Sequence, residues 1–76
     1  MTEQVLRLIY PPAVVNTPIV SQLVRTYSDL TVNIIRAEVK PDQGWIEVQV
    51  VGSAGMIESS IDWLRQQGVE VQILGG

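Results

Sequence analysis

The sequence predicts an α+β sandwich in the order βαββαβ, with a four-stranded antiparallel sheet and both helices on one face. Three observations predict it. Short runs of alternating, β-branched residues recur near the start, twice in the middle and at the end of the chain. Two stretches with apolar residues at helical spacing separate the outer runs from the middle pair. A Pro41-Asp42-Gln43-Gly44 turn joins the middle pair into a hairpin.

Each element has its own signals. Val5 to Tyr10 alternates and is rich in β-formers, and Pro11-Pro12 ends it, because proline cannot donate to a ladder. Thr17-Pro18 is a helix start, with Thr17 as cap and Pro18 at the first helical position. Ile19, Val20, Leu23, Val24 and Tyr27 then form one apolar stripe, and the helix should end near Ser28-Asp29. Thr31 to Lys40 reads as a long strand and Trp45 to Val51 as its return. Gly52-Ser53-Ala54-Gly55 leads into a second helix capped by Ser53, with Ala54, Ile57, Ile61 and Leu64 on its buried side. Gly68 stops it in a left-handed conformation. Val69 to Leu74 is the last strand, and Gly75-Gly76 should fray. Two βαβ units joined by a hairpin give a ferredoxin-like sandwich, with one sheet face uncovered.

With 76 residues, the chain has room for one domain, residues 1–76. A chain this short buries about 60–65% of its unfolded surface. Yet 46% of its residues are apolar and only 17% charged, so a partner or a second copy is expected to cover some of the apolar surface. The net charge of −3 and the scatter of Arg7, Arg25, Arg36, Lys40 and Arg65 argue against nucleic acid and against an anionic membrane surface. No apolar run approaches the ~18–20 residues of a membrane span. Met1 to Arg7 lacks the pattern of a signal peptide, so the expected location is the cytoplasm.

Strand parity sorts the sheet. Leu6, Leu8, Ile35, Ala37, Val39, Ile46, Val48, Val50, Val69, Val71 and Ile73 suit the helix-covered face. Val5, Arg7, Ile9, Ile34, Arg36, Glu38, Trp45, Glu47, Gln49, Val51, Glu70 and Gln72 are left on the open face. A solvated face would be nearly all polar. Val5, Ile9, Ile34, Trp45 and Val51 therefore form a candidate surface for a second copy or a partner, although scattered apolar residues also occur on ordinary surfaces. The strands Thr31–Lys40 and Val69–Leu74, at the sheet edges, offer unpaired backbone for pairing between chains.

Catalytic chemistry has little to work with. The chain has no Cys and no His, so no disulfide, thiolate metal site or His-activated nucleophile can form within it, and no cofactor or metal is expected. Glu58 and Asp62, one turn apart, read as a solvated helix face rather than an acid–base pair. Gly52-Ser53-Ala54-Gly55 falls short of phosphate-binding fingerprints and reads as a turn with a cap. Trp63 reads as a flank of the core. Asn33 is less easily placed, being a poor strand former inside an apolar strand. Either its side chain closes the preceding loop by a local bond, or its amide offers a fixed donor and acceptor to a ligand or a facing chain.

Val32-Asn33-Ile34-Ile35 resembles the Asn-Ile-Leu signature of the NIL domain, with Ile35 in the third place. The opening V-L-R-L-I-Y, the T-P-I-V-S-Q-L of the first helix and the closing I-D-W-L-R-Q-Q-G-V-E-V-Q-I-L-G extend the resemblance over nearly the whole chain. The resemblance implies a ferredoxin-like regulatory domain of the kind found at the C-terminus of methionine ABC importer ATP-binding subunits. There such domains pair as dimers and bind methionine near the interface, which inhibits transport. Other members are fused to iron–sulfur ferredoxin modules. This chain has neither a Walker motif nor Cys, so the resemblance implies a free-standing or excised domain. Carried across, it places ligand contacts at Asn33, Ile34 and Ile35, with a homodimer, an ABC transporter subunit or a ferredoxin module as partners. A thioether wants an apolar pocket and an amino-acid head group wants a few fixed polar atoms.

Overall fold

The computed structural model describes residues 1–75. Its elements are β1 (Thr2–Tyr10), α1 (Ile19–Thr26), β2 (Thr31–Val39), β3 (Gly44–Gly52), α2 (Ala54–Gln66) and β4 (Glu70–Gly75). Every strand pair is antiparallel, in the order β2-β3-β1-β4. This is the predicted ferredoxin-like arrangement, with β2 and β4 at the edges. β1 begins at Thr2 rather than Val5, because Gly52, Val51 and Val50 of β3 supply partners for Thr2, Glu3 and Gln4. Gly75 closes β4 opposite Val5 instead of fraying; Gly76 lies outside the described residues.

The core lies between the helices and the two central strands. Leu6, Leu8 and Tyr10 of β1 and Ile46, Val48 and Val50 of β3 meet Ile19 and Leu23 of α1 and Ile57, Ile61 and Leu64 of α2. Each such aliphatic side chain contributes about 1.5–3 kcal/mol on full burial. Leu30 joins this core and fills the space over Gly52. A Cβ on Gly52 would come within 2.6 Å of Leu30 Cδ2, so a side chain there would displace Leu30. Between the helices, the Tyr27 and Trp63 rings meet edge-on at 6.2 Å, and the Tyr27 hydroxyl donates to the Ser59 carbonyl at 3.1 Å.

The helix ends show how local sequence sets local structure. Ser53 Oγ accepts from the Met56 N–H at 3.1 Å, the predicted cap. Gly68, at φ +91°, ends α2 with two bonds, from the Gly68 N–H to Arg65 O and from the Val69 N–H to Leu64 O, both 3.1 Å. The start of α1 departs from expectation. Pro18 occupies the cap position and no side chain caps the helix. Thr17 instead accepts from the Ile19 N–H through its carbonyl, at 2.8 Å, closing a tight turn. The helix also stops at Thr26, short of Ser28-Asp29, with Tyr27 bonded back to Leu23 O at 2.9 Å.

Strict parity fails on both edge strands. In β2, Ile34 pairs with Val48 and Arg36 with Glu47, so Ile35 is an extra residue in a β-bulge. Ile34, expected on the open face, therefore lies on the helix side with Val48, and Ile35 leaves the helix-face series as the bulged residue. In β4, Leu74 is extra between Ile73, opposite Leu6, and Gly75, opposite Val5. Burial fails in places too. Val39 and Ile73 have the predicted side but are 59% and 55% exposed, each on an edge strand of the sheet.

Candidate functional site

The uncovered face is ordered in rows set by the register. The central row runs Gln72, Arg7, Glu47, Arg36 across β4, β1, β3 and β2. Glu47 is only 3% exposed although no helix covers it. Arg7 donates from Nε at 2.9 Å and from Nη2 at 2.5 Å to its Oε2, and Arg36 Nε donates to its Oε1. The bonds from Arg36 and then Arg7 hold the Glu47 carboxyl below the usual glutamate range, outweighing desolvation, which pushes it up. Arg36 is pushed up by the same bond and charge. The Arg7 guanidinium also lies 5.4 Å from the Trp45 ring centroid, a cation–π contact.

The next row is Glu70, Ile9, Trp45, Glu38, an apolar pair between two acids. At its hairpin end, a cavity of about 300 Å³ opens between Tyr10, Pro11, Pro12, Lys40, Gln43 and Trp45. The buried Tyr10 hydroxyl has no hydrogen-bond partner among the described residues, and burial pushes its pKa up.

On the far side of the central row lie Val5, Gln49 and Asn33. Gln49 donates its amide to Glu3 Oε1 at 2.7 Å. Asn33 is the third residue of β2, exposed, and its side chain makes no hydrogen bond with the described residues. The local loop-closing bond is thus not formed, and the amide stands free on the edge strand, two residues before the bulge.

The three predicted ligand contacts are neighbours in sequence but do not share a face. Asn33 lies on the open face with Gln49, Ile34 on the helix side with Val48, and Ile35 at the bulge, the last two 52% and 51% exposed. Neither that cavity nor a second one, of about 340 Å³ beside α2, is lined by any of them. Of the predicted partner surface, Val5, Ile9, Trp45 and Val51 do share the open face, and Ile34 does not. The Arg7–Glu47–Arg36 cluster was not singled out by the sequence reading. Counting outward from the Lys40–Gln43 turn places Arg36 opposite Glu47, and that arithmetic is available in the sequence. The Arg7 partner is not, since β1 reaches β3 across the whole first helix.

No helix is long and apolar enough to cross a membrane, and no group of three or more acidic, His or Cys side chains suited to a metal occurs among the described residues.

Comparison with known proteins follows the same lines. The family model described as the NIL domain matches residues 4–73. The C-terminal domain of an ABC transporter ATP-binding protein from Enterococcus faecalis is similar in structure, with a TM-score of 0.80, 27% identity, and coverage of 96% of this chain and 84% of that one. The C-terminal domain of the MgtC protein from Mycobacterium tuberculosis shares the fold, with a TM-score of 0.64, 18% identity, and coverage of 97% and 86%. A de novo designed protein, Foldit4, shares it too, with a TM-score of 0.57, 12% identity, and coverage of 95% and 93%. No curated protein matched the sequence.

Proposed function

The chain belongs to the NIL domain family, and from that premise we propose that residues 1–76 act as one non-catalytic sensing domain that binds methionine or a similar amino acid between two copies. The observation that carries the reading is the state of Asn33. Its amide is unpaired on an exposed edge strand, with two half-exposed isoleucines beside it. Those side chains point to different sides, so one copy supplies only part of a pocket. A second chain laid along β2 would supply the missing walls and satisfy the free backbone of the edge.

In this reading, the ligand binds the paired state more tightly than the single chain and shifts the population towards it. The change in pairing is then what a cytoplasmic partner senses. The similarity to the Enterococcus faecalis domain supports a transporter ATP-binding subunit as that partner. Isothermal titration with L-methionine tests the proposal. Saturable heat is expected in the intact protein and none after Asn33→Ala. A folded protein giving no heat at millimolar ligand would refute it.

A second reading keeps the partner and drops the ligand: a docking module for a transporter ATPase or an iron–sulfur ferredoxin. The ordered Arg7–Glu47–Arg36 row favours it, since guanidinium groups at a rim steer charged partners. One stable partner captured with and without amino acids would select this reading.

A further inference from the structure

The start of β1 is paired on one side only. β4 runs beside β1 from Val5 to Ile9, so Thr2, Glu3 and Gln4 have β3 on one side and no strand on the other among the described residues. The cavity of about 340 Å³ beside α2 opens over this gap. Ile57 and Ile61 of α2 and Ile73 of β4 make its apolar walls, and Gln4, Glu58 and Asp62 line it with acceptors. Thr2 and Gln4 pair with Gly52 and Val50 and so lie on the helix side, while Glu3 lies on the open side.

Exposed strand edges are ordinarily blunted by Lys, Pro, a bulge or a covering side chain. The outer edge of β4 has two such devices. Leu74 is bulged, and Arg65 donates from Nη2 to the Val71 carbonyl at 3.2 Å. Thr2 to Gln4 have neither. Their register with β3 is unbroken, and none of the three is Lys or Pro. The groove over them also has a sign. Gln4 Oε1 is buried with no hydrogen-bond partner, and a buried acceptor calls for a donor. Glu58 and Asp62 repel one another at i, i+4, and neither forms an ion pair among the described residues. Arg65, the one cation among the lining residues, is engaged with Val71. An open backbone edge, an apolar wall and uncompensated acceptors therefore meet in one place.

We propose that the gap and the groove together hold an extended peptide segment of a partner protein, with a lysine at its centre. The segment lies beside Thr2, Glu3 and Gln4 as a short strand in line with β4, and backbone hydrogen bonds to β1 set its register. Its side chains alternate, so the residue opposite Gln4 enters the groove and its two neighbours face the open side. A lysine there lays its methylenes along Ile57 and Ile61. Its ammonium carries three N–H donors, which meet Gln4 Oε1, Glu58 and Asp62. The site shares no residue with the β2 edge around Asn33, so it stands or falls separately from the methionine reading.

The test is a ¹⁵N–¹H NMR titration with the blocked peptide acetyl-Val-Thr-Lys-Thr-Val-amide, followed by hydrogen exchange of the complex. The blocked ends remove the free ammonium and carboxylate of an amino acid. Saturable shifts at millimolar peptide are expected in Thr2 to Gln4, in the Gln4 side-chain amide and in Ile57 to Asp62, with slowed exchange within Thr2 to Gln4. The same peptide with Glu in place of Lys should not bind. Glu58→Gln and Asp62→Asn in one protein should weaken binding of the Lys peptide about fivefold. Glu58→Lys with Asp62→Lys should reverse the preference, so that the Glu peptide binds. Both positions are exposed on α2, and the dispersion of the same spectra reports whether each variant is folded. The proposal is overturned if these signals do not shift, if the two peptides bind alike, or if free L-lysine protects Thr2 to Gln4 as well as the peptide does. Shifts confined to residues 31–37 would overturn it too, by placing the peptide on the β2 edge.

Discussion

At the scale of single residues, Glu47 and Asn33 carry the most information. Glu47 has a lower pKa folded than unfolded, so the folded chain holds its proton less readily. Its contribution is fully present above about 4.5, the ordinary glutamate value, and is lost as pH falls through the lowered value. Urea melts should therefore show falling stability as pH drops from 5 towards 3 (roughly, from the glutamate reference range). Glu47→Gln should melt earlier at neutral pH and show a flatter acid slope, because Arg7 and Arg36 then lack their shared counter-charge. Asn33 should behave in the opposite way. Asn33→Ala touches no internal bond, so its stability should stay within about 0.5 kcal/mol of the parent, while the methionine heat disappears. The residue-level signals were legible unevenly. Asn33 stood out because asparagine is foreign to a strand interior. Glu47 did not, because one of its two arginines comes from a strand whose register no turn in the sequence fixes.

At the scale of elements, the two helices contrast. The signals for α2 were complete, with a serine cap, an apolar stripe and a glycine stop, and α2 runs from Ala54 to Gln66 as they imply. Ser53→Ala should cost about 1 kcal/mol. Gly68→Ala should cost about 1–2 kcal/mol, because its φ of +91° disfavours a Cβ. Chemical denaturation checks both. For α1 the signals overstated its length, since Tyr27 continues the apolar spacing but serves as a cap residue that clasps Ser59 and Trp63. The sequence marks the strands as elements but not the bulges that change which side their residues face. A bulge adds one residue to one strand, and nothing in Ile34-Ile35-Arg36 or Ile73-Leu74-Gly75 marks which residue is extra. That one residue moved Ile34 to the other side of the sheet, although alternation alone already divides Asn33 from Ile34.

At the scale of the whole molecule, two surfaces compete to hold a second copy: the open face with Ile9 and Trp45, and the edge along β2. They predict different outcomes. If copies pair along β2, Ile35→Lys should shift the light-scattering mass towards the monomer and Trp45→Glu should leave it unchanged. If they pack face to face, the dependence reverses. The strand order has a kinetic consequence as well. β2 and β3 meet through a short turn, but the central partner of β3 is β1, whose Tyr10 must find Gly44 across the whole first helix and hairpin. Loop-closure entropy predicts that this meeting is the slow step of refolding, with the hairpin formed beforehand as a template and β4 added at the margin afterwards. Stopped-flow refolding should then slow in Ile46→Val, while Val71→Ala should act mainly by speeding unfolding. A domain assembled in that sequence should have its last-added edge, β4, as the first part to open and the first to lose hydrogen-exchange protection.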